Sequence, residues 1–183
     1  MVSLVLLFMG LTFGVAGNWI WAKALVAQVL LRRAWSETTL ETKKRPWPWA
    51  DTSPVGRLLS KELNIDLILL DNLTGSSLAF GPGVFGGRNG LAPHSHKVIA
   101  AHRDTHFEFL ENLDPGDILW IEDLQRRRRP YSVDSLRVVS TKESSRLVNR
   151  GIDELSLITC WPFHSPIAGT DERYIVHLLP ASL

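Results

Sequence analysis

Between residues 55 and 179 the chain is a succession of short runs rich in Val, Ile and Leu, each closed by turn residues and none built like a long amphipathic helix. The runs are Val55–Lys61, Ile65–Leu70, Lys97–Ala101, Asp117–Glu122, Tyr131–Ser140, Leu155–Cys160 and Arg173–Leu179. Asn64, Gly81-Pro82-Gly83, Gly86-Gly87, Asp114-Pro115-Gly116 and Gly151 separate them. Seven or eight strands at this spacing predict a mainly β domain, closed or nearly closed into a barrel. The glycine-rich stretch Gly81–Pro93 reads as a long loop of the kind that shapes binding sites. Thr105 and Glu108 have capping-box spacing and predict a short helix from His106. Arg126–Arg129 reads as a solvated hairpin loop, with contact to anionic lipid or an acidic partner as the minor alternative.

The N-terminus obeys different rules. Val2–Leu31 is apolar apart from small polar residues and Lys23, and residues 1–18 carry no charge. At ~1.5 Å per residue, about 20 residues span a bilayer core, so Val2–Ala22 is long enough. Trp19 and Trp21 suit an interfacial belt. A cleaved signal peptide is the rival, but there is no basic leading region and the apolar character continues past Val15-Ala16-Gly17. Leu25, Val29, Leu30 and Ala34 fall near helical spacing and extend the anchor into a helix lying on the membrane. The prolines of KKRPWPWADTSP end it, and Trp47 and Trp49 suit a linker resting near headgroups. The expected organisation is an anchor with its juxtamembrane extension over 1–35, a Pro/Trp-rich linker over 36–52 and the barrel over 53–183. Arg32, Arg33, Lys43, Lys44 and Arg45 follow the apolar segment, and the positive-inside rule would place that side in the cytoplasm.

Twenty basic and nineteen acidic residues leave no field that calls for a nucleic-acid partner. A single cysteine, Cys160, excludes an intrachain disulfide and leaves a thiol at the end of a predicted strand stopped by Pro162. Such a thiol is more often a small buried hydrophobe than a nucleophile. Two further groups alter the balance. Lys97–Ala101 delivers His102 at its C-terminal end, and Arg173 opens the run after Cys160. Thiol acyl transfer uses these three types. The thiolate attacks, a histidine holds it as an ion pair and later protonates the leaving amine, and an arginine steadies the oxyanion or the substrate backbone. A shared metal is excluded by spacing: His96 and His102 flank an extended run and stand ~20 Å apart. His94 and His96 are expected exposed in the loop, Asp104 either orients His102 or caps the next turn, and no cofactor is implied.

The run ITCWPF with Arg173-Tyr174 after it, and VIAAHRDTHFEFL followed by LDPGD upstream, resembles a sortase, a cysteine transpeptidase of bacterial envelopes. The resemblance covers Ser53–Pro180, and RPWPWADTSPVGRL with AKALVAQ is similar to the Gram-negative branch called class GN. It implies a closed eight-stranded sortase-type β-barrel with short helices, an inner-membrane anchor bound to lipid and a periplasmic catalytic domain. It also implies Cys160 as nucleophile, His102 as general acid and Arg173 as the transition-state contact, with Thr159 and Ala101 contacting substrate. The implied reaction cuts an LPxTG-like C-terminal sorting signal of a protein substrate after its threonine, holds a thioester and passes the acyl group to an amine. Relatives usually carry Gly-Asn and Gly-His where Ser95-His96 and Ala101-His102 stand here. Two alternatives keep the fold: a thiol endopeptidase that uses water, and a non-catalytic barrel that binds an envelope partner.

Overall fold

The computed structural model describes residues 23–144, 153–166 and 169–182. Helix α1 covers residues 23–37. After it come β1 (Pro54–Ser60), β2 (Ile65–Leu70), α2 (Gly75–Leu78), β3 (Gly83–Val84), β4 (Lys97–Ala100), β5 (Ile118–Glu122), β6 (Arg128–Ser140), α3 (Thr141–Ser144), β7 (Leu155–Trp161) and β8 (Glu172–Pro180). The eight strands close a barrel in the order β1-β2-β3-β4-β7-β8-β6-β5. Pairs β2–β3 and β4–β7 are parallel and the rest antiparallel.

All seven predicted runs are strands, and the eighth, β3, lies inside the stretch read as a loop. It is only two residues long, yet Gly83 pairs with Leu70 of β2 and with Ala100 of β4, which closes the wall. A glycine is required there because a Cβ would stand 2.3 Å from the Asn72 carbonyl oxygen. Side chains alternate across the wall. Ile99 and Ala101, Leu155 and Leu157, and Val176 and Leu178 face a common core inside the barrel.

The helix expected from His106 does not form. Turns run over 103–107 and lead into a 3-10 segment, Glu108–Asn112, whose N-cap is Phe107 and lacks a side-chain cap bond. Phe107 is fully buried and its amide donates to the His102 carbonyl at 3.0 Å. Burying that ring is worth ~1.5–3 kcal/mol and outweighs a cap worth ~1 kcal/mol.

Helix α1 packs on the barrel through one face, while Leu25 and Val29 of the stripe expected to meet the membrane stay clear of it. Ala27, Leu31, Ala34 and Trp35 are buried, whereas Leu25, Val26 and Val29 are exposed. The reason is the surface it meets: Ile68 and Leu70 of β2, with Leu124 and Phe80, form a second apolar cluster around Leu31 and Trp35. Polar staples surround the contact. Gln28 Nε2 donates to the Phe80 carbonyl at 2.8 Å, and the Arg126 guanidinium lies 3.7 Å over the Trp35 ring while donating to the Trp35 and Thr38 carbonyls. Trp47 packs edge-on against Phe80. The arginine run is held internally: Arg127 and Arg129 pair with Asp123, and Arg128 with Glu122. The expected anchor over 2–22 lies outside the described residues, and among these no helix is long and apolar enough to cross a membrane.

Asp66 ties α1 to the sheet. Arg57 binds its carboxylate through two bonds of 2.6 and 2.7 Å, and Arg32 of α1 adds a third at 2.8 Å. The Arg57 hydrogen bonds lead in holding the Asp66 pKa down to about 2. An unfolded Asp titrates near ~3.9, so this stabilisation is present above ~4 and is lost as pH falls through about 2. Asp66→Asn should therefore be less stable than the parent at neutral pH, with the gap narrowing from pH ~4 to ~2 in urea titrations. A gap that stays constant over that window would show that the carboxylate is not stabilised by its guanidinium partners.

Candidate active site

Three strand ends build the site. On the antiparallel pair β7–β8, Cys160 and Arg173 are direct Cα partners. On the parallel pair β4–β7, Ala100 stands beside Ile158, and the register carries on past the last residue of β4. The Ala101 amide donates to the Ile158 carbonyl at 3.2 Å, and Thr159 Oγ1 donates to the Ala101 carbonyl at 2.7 Å. Two residues beyond Ala100 and Ile158, His102 reaches the level of Cys160.

Alternation puts the three side chains on one face. Leu157 and Thr159 point into the barrel, so Cys160 points out, partly exposed. Ala101 points in, so His102 points out and is exposed. Tyr174 packs on the core, so its neighbour Arg173 points out beside Cys160. Ile158 and Ile175, partners across β7–β8, lie next along the same outer face and give it an apolar floor. The Arg173 Nη1 donates to the carbonyls of Thr170 and Glu172. Among the described residues Nε and Nη2 have no bonded partner, which leaves guanidinium donors for a ligand.

Thr159 and Ala101, expected to contact substrate, sit on the other face of their strands. Both are buried, and Thr159 spends its hydroxyl on the Ala101 carbonyl, so neither side chain faces the groove. Their part is to lock β4 to β7 beside the sulfur. The Ala101 methyl is directed into the core rather than against His102.

A Sortase domain model matches residues 61–181. The chain belongs to the sortase family. Sortase A from Corynebacterium diphtheriae superposes with a TM-score of 0.63 at 23% identity, over 74% of this chain and 64% of that one. Sortase C-1 from Actinomyces oris gives 0.60 at 25% identity, over 71% and 76%. Sortase C from Clostridium perfringens gives 0.59 at 25%, over 73% and 72%. The chain thus spans 64% of the length of the diphtheria sortase. No match was found among curated protein sequences.

Around the candidate site the structure adds Arg103 and Ser156, which the sequence did not single out. Arg103, beside His102, is buried and donates from Nη1 to the Pro162 carbonyl and from Nη2 to the Ser165 carbonyl, each at 2.8 Å. Asp104 accepts from Arg103 Nε at 3.2 Å and so serves that guanidinium. Further along the outer face, the buried Ser156 hydroxyl sits 2.8 Å from His96 Nε2 and 3.0 Å from His177 Nδ1. A hydroxyl has one proton, so it can donate to at most one of the two rings and accepts from at least one. His96 is therefore part of the wall, whereas His94 is exposed as expected. His164 pairs with Glu111 at 2.7 Å. His106 is partly buried and bonded to the Ala79 backbone; burial leads in pushing its pKa down, so it adds no charge beside His102 at neutral pH. Among the described residues no cluster of three metal-ligating side chains occurs.

The Thr159 bond makes a direct test of strand coupling. Thr159→Val leaves the Ala101 carbonyl without that donor and should cost about 1–3 kcal/mol, whereas Thr159→Ser should stay close to the parent. Urea unfolding measures both. Equal stability of the Val and Ser variants would remove the bond from the account.

Proposed function

We propose that this sortase is a membrane-attached cysteine transpeptidase of the class GN branch, with Cys160 as nucleophile, His102 as proton carrier and Arg173 as oxyanion or substrate-backbone contact. The observation that carries the reading is the convergence of these three residues, from three separate strand ends, on one outer face of the barrel.

The chemistry follows from the types. The Cys160 thiolate attacks the scissile carbonyl of an LPxTG-like sorting signal on a protein substrate. Arg173 donates to the oxyanion, a contribution of ~3 kcal/mol in comparable sites. The carbon–nitrogen bond breaks, the departing amine takes a proton from the His102 imidazolium, and a thioester remains. An incoming amine then attacks the thioester, gives its proton to His102 and releases the sulfur as thiolate. The exposed position of His102 supports exchange of amines at that step.

Membrane attachment is supported by the apolar composition of residues 2–22 and by exposed Leu25, Val26 and Val29 at the start of α1. An apolar stripe next to an apolar leader suits a lipid surface. The catalytic domain is then on the periplasmic side of the inner membrane, where sorting signals of exported proteins are met.

Incubating the protein with a sorting-signal peptide, with and without an added amine, tests the reaction. The expected product with amine is the new amide, detected by mass spectrometry. Acid product alone, even at high amine, would instead identify a thiol endopeptidase. Cys160→Ala should abolish all turnover, and Arg173→Ala should lower kcat about 10²- to 10³-fold. Full retention of the biological role by Cys160→Ala would point to a non-catalytic binding barrel.

A further inference from the structure

We propose that Arg103 is a positioning residue of this site: its buried guanidinium bolts the backbone that carries His102 to the backbone that leaves Cys160, and so fixes the imidazole relative to the sulfur. The inference rests on the functional reading of Cys160 and His102 given above.

The connection is short at both ends. Arg103 follows His102 directly, and its acceptors Pro162 and Ser165 belong to the segment just after Cys160. The guanidinium fork reaches both carbonyls at 2.8 Å, and Asp104 closes its third side. Its side chain is only 4% exposed, so those bonds are shielded from water. Hydrogen bonds from a charged donor are roughly twice as strong as neutral ones, and a lysine in its place would offer a point charge instead of a planar fork.

His102 depends on such a device. Among the described residues its ring has no hydrogen-bond partner, and the side chain is exposed. Its location is inherited from its backbone. Among the described residues four ties reach that backbone region from the Cys160 side: the Ala101 amide bond to the Ile158 carbonyl, the Thr159 bond to Ala101, the Arg103 fork, and the His164–Glu111 pair at 2.7 Å. The last is exposed on both partners and such contacts are worth little. The Thr159 bond fixes the strand before His102. Arg103 supplies the buried hydrogen bonds between the chain after His102 and the chain after Cys160, across 59 and 62 residues of sequence. Displacement of a catalytic group by ~1 Å can cost about 10²-fold in rate.

The test reads Cys160 reactivity and needs no substrate. Cys160 is the sole cysteine, so alkylation of the full chain by iodoacetamide reports on one sulfur. Its rate is followed from pH 5 to pH 10, with circular dichroism and thermal unfolding as controls for the fold. His102→Ala should move the profile measurably, because the sulfur loses the imidazole beside it. Arg103→Met should move it in the same direction, and the double variant should move it no further than His102→Ala does. Arg103→Lys, which keeps the charge and one hydrogen bond, should fall between Met and the parent. A folded Arg103→Met whose profile overlays that of the parent overturns the positioning role and leaves the functional reading intact. A profile that His102→Ala does not move overturns the functional reading and this inference together. If Arg103→Met does not fold, Arg103→Lys is read in its place, and loss of fold in both makes Arg103 a stability residue and overturns the proposal.

Discussion

The parallel pairing of β4 with β7 is the constraint on which the rest depends. It joins segments 58 residues apart in sequence, with Lys97 beside Leu155 and Ala100 beside Ile158, and the Thr159–Ala101 bond extends it beyond the last ladder residue. Everything chemical in the molecule hangs from that seam. The histidine strand exits beside the cysteine strand, and β8 then returns on the other side of β7 to deliver Arg173. No long segment between these residues needs to be reshaped, because the sheet brings them together by register alone.

Much of this was legible from residues because alternation and turn chemistry speak locally. Seven strands could be read in that way, as could the position of Cys160 at a strand end. What escaped the reading was non-local. The two residues of β3 are a strand only because β2 and β4 flank them, and nothing in Gly83-Val84 itself distinguishes them from loop. Helix α1 is apolar on more than one side, so periodicity could not say which face the barrel would take. Arg103 looks like a surface residue until two carbonyls, distant in sequence, are found at its tip. Thr159 and Ala101, expected from the resemblance to contact substrate, are different, since strand parity was available to place them: if Cys160 and His102 face out, their immediate neighbours face in.

Parity also explains why the far end of the same seam is polar. Lys97 is buried inside the barrel, where its ammonium donates to Asp153 at 2.7 Å and to the Ser95 carbonyl at 2.9 Å, 5.5 Å from the centre of the Tyr131 ring. Tyr131 donates to the same carboxylate at 3.0 Å. Burial leads in lowering the Lys97 pKa, and burial with the neighbouring Asp153 anion raises that of Tyr131. Burial pushes Asp153 up as well, but its bonds to Lys97 and Tyr131 prevail and keep its pKa low. A buried pair of this kind contributes little net stability compared with apolar residues of the same size.

Its effect is on register. A slip of one residue between β4 and β7 would turn each side chain of the slipped strand to the opposite face. In a wholly aliphatic seam such a slip has a modest penalty, because Val98 and Ile99, or Leu157 and Ile158, are near equivalents. With Lys97 fixed to Asp153 and Tyr131, a slip strands a charge without its partner, and breaking such a pair costs about 3–5 kcal/mol. The same slip would bury Cys160 and expose Thr159. An ion pair at one end of β7 therefore guards the outward aim of the sulfur at the other, through the two-residue period of the strand between them.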